Sequence, residues 1–166
     1  MCKTRNYITK TVLLVLMALT SLSSSANPSP KKVVSLSYHE RSSMVEPTIW
    51  YDFEMAKDGS CTLTNSSGRS QKEALRAVVP AQVAERLAQI AEEEQMDKYE
   101  YHYEPPFQVY DGWQWDLHVY FDDKSSISSS GHMKRPNGDG LKRLENYLNE
   151  VWSQVDENQA ETVDIW

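Results

Sequence analysis

The chain has 166 residues, with 17 basic and 24 acidic side chains, a formal net charge of −7 at pH 7, and two cysteines. That length suits one domain with one core, and the acidic balance opposes binding to nucleic acid or anionic lipid. No glycine-rich phosphate loop and no other cofactor motif is present, so no cofactor is expected.

Residues 1–26 read as an export signal. Lys3, Arg5 and Lys10 make a positive start, Thr11 to Leu19 is a short apolar run, and Ser24-Ser25-Ala26 supplies small residues for cleavage. The apolar run falls short of the roughly 20 residues that span a bilayer, so no membrane span is expected after cleavage. Removing 26 of the 166 residues leaves 140, in which 14 bases face 24 acids, a balance of −10. The expected location is periplasmic or secreted. Cys2 precedes the apolar run, so it is not placed like the acylated cysteine of a lipoprotein. Cys61 is then the lone thiol, expected to be buried in a strand.

Residues 27–32, with Pro28, Pro30, Lys31 and Lys32, read as a mobile leader to a single α+β domain over 33–155. A first strand follows near Val33 to His39, with Val34, Leu36 and Tyr38 inward and Ser35, Ser37 and His39 outward. Arg41 to Pro47 reads as a loop. Thr48 to Lys57 is a second strand, with Ile49, Tyr51, Phe53 and Met55 on one side and Trp50, Asp52 and Glu54 on the other. Asp58-Gly59 signals a hairpin back into a third strand near Ser60 to Thr64. Gln71 to Val79 extends a strand up to Pro80.

From Pro80 the period changes to that of a helix, with Val83, Leu87, Ile90 and Ala91 on one face, ending near Gln95. Residues 97–112 form a connector rich in tyrosine and proline, whose tyrosines read as a lid over the core rather than a sugar platform. The clearest strand is Trp113 to Phe121. Trp113, Trp115, Leu117, Val119 and Phe121 alternate with Gln114, Asp116, His118 and Tyr120. A turn at Asp122-Asp123-Lys124 leads to a serine-rich strand near Ser125 to Ser130. A loop over 131–140 offers Asn137 or Asp139 as a helix cap, and a last helix aligns Leu141, Leu144, Leu148, Val151 and Trp152. Residues 156–166 hold four acids and no bases and read as a frayed acidic tail, with Ile165 and Trp166 available to dock.

Tyr51-Asp52-Phe53-Glu54-Met55 before Asp58-Gly59 matches Trp115-Asp116-Leu117-His118-Val119 before Asp122-Asp123. The plan is a strand, then two hairpin-plus-helix units forming a pseudo-repeat. It predicts a single antiparallel sheet with two helices packed on one face and the other face open. This plan, with Tyr110-Asp111-Gly112-Trp113 leading into the fourth strand and the 131–136 link before the last helix, resembles a group of small exported bacterial domains of uncharacterised function. The resemblance covers about residues 33–152, implies a fold and a compartment, and brings no active site with it.

The open face would gather Trp50, Asp52, Glu54, Gln114, Asp116, His118 and Tyr120, and these are the candidate binding residues. Large aromatics on a polar field suit recognition of a protein or an envelope component. His39, His118, Asp52 and Asp116 have the nitrogen and oxygen donors that zinc accepts, but neither His-x-His nor His-x-x-x-His spacing occurs, so a metal-dependent hydrolase is the alternative reading. Nucleophilic catalysis has little support. Gly-x-Ser-x-Gly is missing, and Ser129-Ser130-Gly131-His132 falls in an expected turn. Asn65-Ser66-Ser67 fits a glycosylation acceptor, relevant only on a eukaryotic secretory route. Binding therefore stands ahead of enzymatic activity.

Overall fold

A computed structural model describes residues 30–42, 45–66, 73–109 and 111–165. The expected export signal, the start of the leader and Trp166 lie outside them. The described strands are β1 (Val33–Ser42), β2 (Val45–Met55), β3 (Cys61–Asn65), β4 (Glu73–Val79), β5 (His102–Tyr103), β6 (Trp113–Phe121), β7 (Ser126–His132) and β8 (Glu161–Asp164). The helices are α1 (Gln82–Glu93) and α2 (Gly140–Ser153), with short 3-10 turns at Met96–Lys98 and Glu157–Gln159. Among the described residues, no helix is long and apolar enough to cross a membrane.

The expected single antiparallel sheet is corrected. The eight strands form one mixed sheet in the order β5-β7-β6-β1-β2-β3-β4-β8, and β5 runs parallel to β7. Connectivity explains the parallel pair. The chain leaving α1 reaches the sheet beside the middle of β7, where Ser129 Oγ donates to the Glu100 carbonyl at 2.7 Å and Ser130 N to the Tyr101 carbonyl at 3.0 Å. It must then travel to the start of β6, and Gln114 there lies opposite His132, the last residue of β7. The connector therefore has to run in the direction of β7.

The two supposed repeat units also differ. The first is a three-stranded meander, β2-β3-β4, before its helix, and the second is the β6-β7 hairpin alone. Their turns do match. Ala56 N bonds to Ser60 O and Gly59 N to Ala56 O, while Phe121 N bonds to Ser125 O and Lys124 N to Phe121 O. In each turn an aspartate, Asp58 or Asp123, accepts from the backbone N–H and hydroxyl of the serine two residues on. Gly59 and Lys124 occupy the positive-φ position, so only one residue per turn is left-handed.

Period-two alternation then decides which face is dry. Tyr38, Tyr51, Phe53, Trp115, Leu117 and Val119 pack with Leu87 and Ile90 of α1 and Leu144 and Leu148 of α2 in one core, so both helices cover the same face. Val33 is buried in place of the expected Val34, because the β1–β6 register shifts between Val33 and Ser35. The expected loop at 41–47 is largely strand, with β1 reaching Ser42 and β2 beginning at Val45; residues 43–44 lie outside the described set. Ser129 to His132 belong to β7 rather than to a turn. The leader is pinned where it is described, through Lys31–Asp123 and Lys32–Glu85 ion pairs. The tail is not frayed either: β8 pairs with Glu73 to Arg76 of β4. Cys61 is 1% exposed, and burial pushes its thiol pKa up.

Trp115 is the core's polar anchor. Its indole N–H donates to the Lys134 carbonyl at 2.8 Å, and Gly131 on the neighbouring strand leaves room for the ring. A Cβ at Gly131 would strike the Trp115 ring and come within 2.5 Å of the Lys134 carbonyl. Backbone and a locked indole cannot both retreat, so Gly131→Ala is expected to destabilise by about 2 kcal/mol in urea unfolding. A change under about 0.5 kcal/mol, the level of an ordinary surface substitution, would contradict this packing.

Candidate functional site

The face opposite the helices centres on β1, which lies between β6 and β2. His39 is opposite Asp116 on β6 and Trp50 on β2, with Asp52 the diagonal neighbour on the same face. His39 Nε2 is 2.9 Å from Asp52 Oδ1, and Nδ1 is 3.3 Å from Asp116 Oδ2. With a carboxylate at each nitrogen, both ring nitrogens donate, and the ring is an imidazolium. Its flat side stacks on Trp50, with centroids 3.7 Å apart and 14° between planes. The Trp50 indole N–H completes the cluster by donating to Asp52 Oδ2 at 2.7 Å. Arg41 reaches Asp116 at 4.0 Å.

Burial alone would push the His39 pKa down, but the hydrogen bonds to Asp116 and Asp52 outweigh it and raise the value to about 9. Burial likewise opposes the ionised form of Asp52, yet the bonds and charge of His39, with help from Ser37 and Trp50, hold its carboxyl below the ordinary range. The cluster is half-buried: His39, Asp52 and Asp116 side chains are 18%, 30% and 27% exposed. Each ion thus has partners before any ligand arrives.

The remaining face residues divide around this cluster. His118 sits two residues along β6 from Asp116 and bonds to Ser128 Oγ at 2.9 Å, apart from the Asp–His–Asp group. Among the described residues, no three or more His, Cys, Asp or Glu side chains are arranged to hold a metal ion. Gln114 and Tyr120 are exposed, Tyr120 at 56%. Glu54 is exposed and borders a groove of about 320 Å³ with Trp50, Asp52, Thr64, Arg76 and Ile165. Arg41, Arg76 and Ile165 were not among the expected site residues. Arg41 fell in the expected loop and Arg76 in a strand given no facing, while Ile165 enters through the unforeseen pairing of β8.

Elsewhere, Tyr99 and Tyr103 pack on the core as the lid reading expects, while Tyr101 and Phe107 are exposed. Asn65 is buried, with its amide donating to the Tyr51 hydroxyl, so it is not presented for glycosylation. Comparison with protein-family models gave no match, and comparison with curated proteins gave none either. The resemblance to small exported bacterial domains rests on the sequence pattern alone.

Two pH effects follow. The folded state holds the His39 proton to about pH 9, against 6.5 ordinarily, so this stabilisation is complete below about 6.5 and disappears as pH rises through about 9. The Asp52 contribution, with a lowered pKa, is present above 3.8 and is lost as pH falls below that value. In an NMR titration the His39 ring is expected to stay protonated from pH 5.5 to 8, and Asp52→Asn is expected to bring its midpoint down by at least about one unit. A His39 midpoint near 6.5 in the unmodified chain would refute the arrangement.

Proposed function

We propose that this chain is an exported, non-enzymatic binding or accessory domain that recognises a protein or an envelope component through the open sheet face. The observation that carries the reading is the satisfied Asp52–His39–Asp116 cluster stacked on Trp50, on the face of the sheet opposite α1 and α2. A fixed pattern of ionised and aromatic groups presents a partner with a surface that needs little reorganisation. Tyr120 adds an exposed aromatic on the same strand as Asp116, and the groove beside Trp50 adds relief.

The same geometry argues against the metal-dependent hydrolase. A zinc ligand or a general base needs a free imidazole lone pair, and both His39 nitrogens are committed to carboxylates as donors. The export reading continues to rest on the Lys3-to-Ala26 segment.

An isotope-labelled chain titrated with solubilised envelope fractions is expected to show line broadening concentrated on Trp50, Asp116 and Tyr120. Tyr120→Ala is expected to weaken that response about tenfold without changing the melting temperature, as removal of an aromatic anchor does. Broadening centred on α1 and α2, or a response indifferent to Tyr120→Ala, would sink the proposal.

A further inference from the structure

The far edge of the sheet is only partly closed. β8 pairs with Glu73 to Arg76, and the chain before it curls into the 3-10 turn at Glu157–Gln159. Ala77, Val78 and Val79 therefore have no strand on their outer side among the described residues. Edge strands are ordinarily blunted by charge, a bulge or a covering element. This segment contains no charge, and Val78 is 78% exposed. Beside it opens a cleft of about 620 Å³ whose apolar wall includes Val83, Tyr147, Val151 and Val155. Glu150 and Asp156 stand at the cleft, and among the described residues no lysine or arginine lines it. Asp156 is occupied in capping the 3-10 turn, whereas Glu150 has no ion pair among the described residues.

We infer that this notch is a strand-addition site for an extended, basic segment of another polypeptide. The incoming backbone continues the ladder beside Ala77 to Val79, an apolar side chain enters the cleft, and a flanking cation meets Glu150. Charge selects this occupant over a second copy of the chain, because a second copy pairing through the same edge would bring its own Glu150 and Asp156 against these. The site uses the edge of the sheet and the cleft on the helix-covered side, while the Val78 side chain, two residues from Arg76 on β4, lies on the open face.

The test is amide hydrogen exchange on the full chain with two end-blocked peptides, Lys-Val-Lys-Val-Lys and Glu-Val-Glu-Val-Glu. The basic peptide is expected to slow exchange within Ala77 to Val79, and the acidic one is not. Glu150→Lys is expected to weaken the basic peptide about tenfold, and Val78→Lys to weaken it while leaving the melting temperature unchanged. Equal protection by both peptides, protection elsewhere, or no protection would overturn the inference. So would a concentration-dependent dimer in sedimentation that Val78→Lys abolishes, which would assign the edge to a second copy.

Discussion

The structure depends on alternation in its three central strands. β6, β1 and β2 lie side by side, and each sends every second residue toward the helices. Because the side-chain period of a strand is two, burying Trp115, Tyr38 and Phe53 obliges Asp116, His39 and Asp52 to share the opposite face. A slip of one residue in any of these strands would bury ions and expose the core. The core therefore fixes the register, and the register brings the charges together.

That order of cause matters for what the cluster is worth. Half-buried ions lose hydration, and their mutual attraction roughly offsets the loss, so ion pairs of this kind seldom add much net stability. The raised pKa of His39 says that the fold favours the protonated ring over the neutral one. It does not say that the cluster favours the fold over a simpler face. Apolar burial beneath it, from Leu36 to Leu148, holds the sheet together. The group orders Trp50 and fixes two carboxylates, and on that ground we propose it as part of a recognition surface.

Long periodic elements were legible in the sequence. Trp113–Phe121 appears residue for residue, and Leu141, Leu144, Leu148 and Val151 face the core of α2 as their spacing predicts. Short elements were not: β5 has two residues and β8 four, too few for a period, and both form because the sheet offers them an edge. The facing of the candidate residues on β2 and β6 was readable from parity. Their convergence was not, since it requires β1 to lie between β2 and β6, a pairing order set by long-range packing. One hint was present: Asp52 and Asp116 occupy the same place in the two matching segments, and in the fold they flank His39 from either side.

The most direct test is the stability of the chain in which His39, Asp52 and Asp116 are all replaced by threonine, a residue suited to strands and to water. Urea unfolding is expected within about 1 kcal/mol of the original chain, with the same dependence on denaturant, because the register is held from the other face. A loss of about 3 kcal/mol or more would contradict it, making the cluster a structural brace and removing the reason to read this face as built for a partner.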